Sequence, residues 1–292
     1  MGKDSGIQWT HHTHNIVWGC AKVSEACKHC YAETFAKRVG LDIWGADKSR
    51  RVLSDGYWRQ PLKWNRIAAE KGERHRVFCS SMADVFEDHP TVAEQRARLW
   101  PIIAETPALD WLLLTKRPEN MVRFAPAAWA HQWPRNVWAG TTAETQERLD
   151  ERIRHLFRAP AAVRFLSCEP LLGPLDLTPY LVDDLHRVGR APRLELDWVI
   201  VGGESGPKAR PFDVAWARSI VSQCRAAGVA PFVKQIGANP QDHGAGSDWP
   251  EGVRFRAGVA SGTRVVLRDG HGGDADEWPE DLRVREFPEA RA

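Results

Sequence analysis

The 292-residue chain has no run of about 18 consecutive apolar residues, which excludes a membrane-spanning helix. Its N-terminus, MGKDSGIQWTHH, lacks the apolar core of a signal peptide, so a soluble, cytoplasmic protein is expected. Net charge is nearly absent: 40 Lys+Arg against 38 Asp+Glu leave +2, without the global basic footprint of many nucleic-acid binders. Only a local basic cleft is left open. Cysteine is scarce, and six in a chain of this length are too few for a disulfide scaffold. Neither an internal repeat of fixed short period nor a long low-complexity segment occurs.

What is present is concentrated. Cys20, Cys27 and Cys30 fall within GCAKVSEACKHCYAE, whereas Cys79, Cys168 and Cys224 are scattered. Three thiolates can hold three corners of a four-iron cluster and leave one iron open, the feature that separates a reactive metal site from a structural one. A zinc site completed by His29, His14 or another nearby group is the competing reading, because histidines at 11, 12, 14 and 29 crowd the segment. Uncoordinated thiols are the third. Downstream, Tyr31, Phe35 and Val39 recur at i, i+4 spacing and Gly40 ends the pattern, so a helix is expected to start just after the last thiol, its N-terminal N–H groups aimed at the site.

Near-continuous apolar runs at 15–18, 76–81, 110–117, 136–142, 163–169, 197–205 and 231–237 read as strands covered on both faces. Helical stretches at 91–105, 142–157 and 213–228 alternate with them, which predicts βα units: an α/β protein built on a partial parallel (β/α) barrel of six to seven strands. With 43% apolar residues, the chain is long enough for one barrel of roughly 200–250 residues plus an addition. From about 238 the composition turns rich in Gly, Asp, Pro and charge, so the expected division is a barrel over 1–237 and a small β-containing extension over 238–292. In such folds ligands gather at the C-terminal strand ends, here Ser80, Ser81, Asp84, Lys116, Arg117, Thr141, Thr142, Glu144, Glu169, the Gly202–Gly206 turn, Lys234 and Gln235. Polar turn chemistry alone also explains any one of these. Of the fourteen tryptophans, Trp111, Trp138 and Trp198 lie in strand runs and are expected in the core, with Trp18 beside Cys20 the exception.

A three-cysteine motif in the loop after the first strand of such a barrel resembles the radical S-adenosylmethionine superfamily. More closely, IQWTHHTHNIVWGCAKVSEACKHCYAE, LLLTKRPENM, WAGTTAE, FLSCEPLLG and VIVGGESGPKARP resemble a phage- and prophage-associated family with this motif, over roughly residues 7–237. The chain departs from the superfamily's usual spacing, with six residues between Cys20 and Cys27 and His29 where an aromatic precedes the third thiol. His14, Ile16 and Trp18 stand where Trp, Pro and Thr are expected in the narrower family.

The resemblance implies a [4Fe-4S] cluster on Cys20, Cys27 and Cys30, S-adenosylmethionine bound at its open iron, and a 5′-deoxyadenosyl radical that abstracts hydrogen. A reducing donor such as flavodoxin or ferredoxin would supply the electron, and the substrate class suggested is a nucleotide or nucleic acid. It nominates Ser80, Ser81 and Asp84 for the methionine amino group and Thr141, Glu144 and Glu169 for the ribose. Gly202 and Gly203 would admit the ligand closely, since glycine has no Cβ to clash, with Glu204 as a further contact. Cys79 and Cys168 are candidate hydrogen-donating thiols, although a buried free cysteine is common. Lys116, Arg117, Lys208, Arg210 and Lys234 would either grip phosphates or pair with Asp84, Glu169 and Glu204. A non-enzymatic, zinc-stabilised nucleic-acid-binding protein is the alternative.

Overall fold

The computed structural model describes residues 6–181, 196–244, 248–257 and 262–289. Seven strands follow one another through a parallel half-barrel sheet in chain order: β1 (His12–Thr13), β2 (His75–Cys79), β3 (Leu109–Thr115), β4 (Val137–Thr142), β5 (Val163–Cys168), β6 (Trp198–Gly202) and β7 (Ala230–Gln235). The expected fold class is therefore observed. Nearly every residue of β3 to β6 is buried, which is what their unbroken apolar runs require of strands covered on both faces. Among the described residues no helix is long and apolar enough to cross a membrane.

The first strand differs from expectation. The run at 15–18 does not enter the parallel sheet; Val17–Trp18 pairs antiparallel with Arg51–Val52, and the sheet instead takes His12 opposite Val77 and Thr13 opposite Phe78. Asn15 causes the break, because its Oδ1 accepts the Met82 N–H at 2.6 Å while its Nδ2 donates to Ser81 Oγ at 3.1 Å. Side-chain bonding of this kind replaces the ladder and turns the chain.

Two compact units make up the chain, 1–141 with 154–164 and 142–153 with 165–292. In the first, α1 (Tyr31–Arg38) follows the thiol loop and stops at Gly40 with φ +76°, as the spacing predicts. Between α1 and β2 lies α2 (Gln60–Lys71), which opens with Pro61 in its first turn, buries Trp64 and Ala68 on one face and ends on left-handed Gly72. α3 (Pro90–Glu105) buries Val92, Gln95, Arg96, Leu99 and Ile103, the single stripe of an amphipathic helix. In that unit His14 is fully buried among the rings of Tyr57, Trp58, Trp64 and Trp111, at centroid distances of 5.0 to 6.4 Å, and neither ring nitrogen has a hydrogen-bond partner.

In the second unit α5 (Val214–Ala226), which follows α4 (Gln146–Leu156) in chain order, is capped by Asp213, whose side chain accepts the Ala215 N–H at 2.9 Å. A four-stranded sheet lies beyond it in the order 254–257, 263–266, 240–242, 212–213. Residues 284–286 run along β7: Val233 N donates to Val284 O at 2.8 Å and Glu286 N to Pro231 O at 3.0 Å.

Candidate functional site

Cys20, Cys27 and Cys30 are all half-buried and lie on the stretch between β1 and α1. Cys30 is the N-cap of α1, which places its side chain at the helix start beside the first free N–H groups, without a capping hydrogen bond. Burial pushes the Cys30 thiol up, against the pull of the Glu33 and Ala32 N–H groups and of the Lys116 charge. Burial, assisted by the Asp84 charge, pushes Cys20 up to about 12, while Arg117 works in the opposite sense. Both thiols therefore hold their protons at neutral pH and give them up only to a ligand that displaces them, which is the ordinary coupling of thiolate ligation to proton release. Among the described residues no group of three or more His, Cys, Asp and Glu side chains is arranged to hold a metal ion.

The loop is held by a buried network of four charges. Asp84 Oδ2 accepts from Arg117 Nη1 at 2.9 Å and from the Lys116 N–H at 3.1 Å, and its Oδ1 accepts from Thr115 Oγ1 at 2.6 Å. Arg117 in turn reaches the loop: Nη2 donates to Ala21 O at 2.8 Å, and Nη1 lies 3.7 Å from Cys20 Sγ. Glu87 Oε1 accepts the Ala21 N–H at 2.9 Å, and both its oxygens are bridged by Arg50 at 2.9 Å. Arg50, fully buried in its side chain, also donates to the carbonyls of Lys48 and Gly45. Gly19 completes the turn, because at φ +113° a Cβ there would stand 2.5 Å from Ile43 O. Arg96 of α3 secures the turn bearing Glu87 by donating to Val85 O and Glu87 O. A buried ion network of this kind is favourable only when every member is satisfied.

Of the other predicted residues in this unit, Ser80 is buried and its Oγ lies 3.3 Å from Cys79 Sγ. Ser81 is half-buried; its carbonyl accepts from Tyr31 OH at 2.8 Å, tying α1 to the end of β2. Cys79 is fully buried and pushed up to about 12 by that burial. Thr141 is buried, its Oγ1 donating to Thr115 O at 2.9 Å.

In the second unit, Glu144 is fully buried against Arg152 at 2.7 Å, and Arg152 also donates to Thr142 O and Oγ1. Cys168 is fully buried and raised well above the usual thiol range by that burial. Lys234 pairs with Glu169 at 2.7 Å. Glu204 is clasped by Arg210, whose Nη2 donates to Oε1 at 2.6 Å while its main-chain N–H and Nε donate to Oε2 at 2.9 and 3.1 Å. Of the five cations, Arg117, Lys234 and Arg210 thus pair with Asp84, Glu169 and Glu204.

The glycine-rich turn has a local account. A Cβ on Gly202 would stand 2.8 Å from Glu169 Oε1, and one on Gly203 2.8 Å from Ile236 O. Gly237, at φ +76°, faces them; a Cβ there would stand 2.8 Å from Glu204 O. The turns leaving β6 and β7 touch backbone to backbone, and glycine is what permits it. Gly237→Ala is expected to cost roughly 1–3 kcal/mol through this crowding and the left-handed φ, read as a lower urea midpoint at unchanged slope; a wild-type midpoint would show that the turns can separate freely.

Sequence reading did not nominate Asn15, Arg50 or Glu87. Apart from the Lys48 and Gly45 carbonyls beside Arg50, their partners lie 30 to 67 residues away, and no local pattern marks such a pairing. The only hint was that Asp84 and Glu87 flank the apolar pair Val85 and Phe86 after β2.

The fold is that of an α/β half-barrel with a cysteine-bearing loop between its first sheet strand and first helix. The chain belongs to the family described as "Protein of unknown function (DUF5131)", whose family model matches residues 4–274. No curated protein matches it. Among solved structures it is similar to spore photoproduct lyase complexed with dinucleoside spore photoproduct, at 12% identity and TM-score 0.47 over 92% of this chain and 72% of that one. A mutant of the same lyase with bound AdoMet and dinucleoside spore photoproduct gives 11% identity and TM-score 0.46 over the same shares. Likeness of this degree carries no argument about what this chain binds or does.

Proposed function

We propose that the chain is a radical S-adenosylmethionine enzyme in which Cys20, Cys27 and Cys30 ligate three irons of a [4Fe-4S] cluster. The observation that carries this reading is the donor set in its setting. Three half-buried thiols share one loop, with the Arg117 guanidinium 3.7 Å from Cys20 Sγ and helix N–H groups drawn to Cys30. Such donors fit an anionic iron–sulfur cluster, which cationic and N–H groups around its sulfurs stabilise. When bound, a cluster of this kind supplies the one-electron cleavage of S-adenosylmethionine to methionine and a 5′-deoxyadenosyl radical. The residues of the chain do the positioning: Asp84 and Glu87 fix Arg117, and Arg117 fixes the main chain at Ala21. Ser81, half-buried at the end of β2, is the side chain we assign to the methionine amino group. A cytoplasmic reductant of the flavodoxin or ferredoxin type would deliver the electron, and a nucleotide or nucleic acid is the substrate class.

Anaerobically purified protein is expected to be brown and to hold about four iron and four sulfide per chain. With reductant and S-adenosylmethionine it should release methionine and 5′-deoxyadenosine. Cys27→Ala should lose the iron, with the secondary structure kept. Colourless protein with stoichiometric zinc, or wild-type iron in Cys27→Ala, overturns the reading.

A further inference from the structure

We infer that the second unit carries a binding site for single-stranded nucleic acid, with one nucleotide seated in a cavity and neighbouring phosphates on an arginine face beside it. This extends the reading above by naming where the polymer is held, but its evidence is separate. A cavity of about 560 Å³ is lined by the segment leaving β6, the segment leaving β7 and the strand 263–266 with the loop after it. That volume suits a small ligand, for which pockets run to about 300–1,000 Å³. The carboxyl ends of strands in an open parallel sheet are also where such ligands sit.

The cavity is preformed. Ile236 N donates to Gly272 O at 2.9 Å, and any Cβ on Gly272 would overlap the main chain of Gly237, so the loop rests directly on the turn after β7. Asp269 holds that loop by accepting the N–H groups of His271, Gly273 and Asp274, and Glu277 accepts those of Arg268 and Asp269. Asn239 Nδ2 donates to Ala209 O at 3.1 Å, joining the other two walls.

Its chemistry is that of a nucleotide site. Pro207, Pro240 and Val266 offer an apolar wall for a base or sugar, and Arg264 and His271 stand at the lining with exposed side chains. The acid in the lining, Asp269, is already held by three N–H donors and kept below the usual carboxylate range by them, against the opposing effect of its burial. Arg264 lies directly opposite Arg256 across an antiparallel pair, and Arg254 lies opposite Val266 in the same ladder. These positions share one face of the hairpin, so three guanidinium groups line up along it. Like charges directly opposite one another are unfavourable, and a polyanion running along the face relieves them. Arginine also matches phosphate geometry through its planar fork.

The test uses the full-length, anaerobically purified protein and three probes: deoxycytidine, deoxycytidine 5′-monophosphate and a single-stranded oligodeoxycytidylate, titrated by calorimetry. The monophosphate should bind about tenfold more tightly than the nucleoside, since a charge-assisted contact is gained. The oligonucleotide should bind more tightly still, with an affinity that falls as salt rises. Arg264→Gln should weaken both phosphorylated probes about tenfold and leave the nucleoside unchanged. Arg254→Gln with Arg256→Gln should weaken the oligonucleotide and flatten its salt dependence without touching the monophosphate. All these positions are exposed, so thermal unfolding should not move; Val266→Trp, which fills the cavity, serves as a second arm and should abolish nucleoside binding.

Equal binding by wild type and Arg264→Gln overturns the inference, as does oligonucleotide binding insensitive to the arginine pair. Monophosphate binding unaccompanied by any gain for the oligonucleotide would identify a free-nucleotide site and overturn the polymer. Repeating the titrations in Cys27→Ala separates the two proposals. Binding retained without iron leaves this site standing if the cluster reading fails, and iron without binding does the reverse.

Discussion

Arg117→Met is expected to lower the unfolding free energy by about 3–5 kcal/mol, because it leaves Asp84 buried without its counter-charge, whereas Glu87 keeps Arg50. Both side chains of the Arg117–Asp84 pair are less than a tenth exposed, so solvent screening relieves little of that cost. Asp84 holds Arg117 even more firmly in its charged form than usual, against the burial that opposes it, so neutralising the guanidinium by losing a proton is no escape. The measurement is urea unfolding followed by tryptophan fluorescence. Adding Asp84→Asn to Arg117→Met should cost less than the sum of the single losses, since the acid no longer lacks its counter-charge. A loss under about 1 kcal/mol for Arg117→Met would mean that water reaches the network and that its members act independently. Because Arg117 also holds Ala21, the cluster reading proposed above requires the same variant to retain less iron after reconstitution at matched temperature.

His14→Phe is expected to remove an acid sensitivity built into the first unit. Burial, with a further contribution from the Arg98 charge, lowers the His14 imidazole from 6.5 to about 3. The folded chain therefore holds His14 neutral while the unfolded chain takes up a proton below pH 6.5, so stability is complete above that value and falls steadily as the pH drops toward 3. At pH 5 the loss assigned to this one residue is about 2 kcal/mol. His14→Phe should match or exceed the wild type at pH 8, since two ring nitrogens now buried without partners disappear. Between pH 8 and pH 5 it should lose about 2 kcal/mol less than the wild type does. Parallel curves for the two proteins would show that His14 reaches solvent or finds a partner in solution. The position is one where the related sequences are expected to carry tryptophan, and the surrounding rings of Tyr57, Trp58, Trp64 and Trp111 account for an aromatic there.

Strands β2 to β7 were legible because each is an apolar run with covered faces, and the structure places their ends within three residues of those runs. The helix after Cys30 was expected from Tyr31, Phe35 and Gly40; it forms and stops there, but the face it buries is Ala32 and Ala36, with Tyr31 and Val39 exposed. β1 was not, since Ile16 and Val17 are as deeply buried as any strand residue while pairing elsewhere; burial reports that a residue is covered, not which chain covers it. α2 was missed although Pro61, Trp64, Ala68 and Gly72 mark its start, stripe and stop. At the candidate site the thiols, Asp84 and Arg117 could be named from sequence, but Arg50, Glu87 and the reach of Arg117 to the loop could not. Arg50 meets Glu87 across 37 residues and Arg117 meets Ala21 across 96, distances over which only the fold decides proximity. The glycines of the β6 turn have neighbours that sequence reading did not name: Gly203 makes room for the Ile236–Gly237 turn, a contact no local motif announces.

The hydrogen bonds from residues 284–286 give the C-terminal segment a duty that its loop-rich composition hides. β7 is the last strand of the sheet, and a final strand left bare offers its main chain to any passing partner. Here Val284 and Glu286 occupy that margin, and Trp198 fastens the same segment through its indole N–H to Glu286 O at 2.9 Å. A chain cut back to the half-barrel would therefore expose adhesive backbone along one rim, so attempts to isolate that portion by trimming the tail should yield aggregates in place of a smaller folded protein.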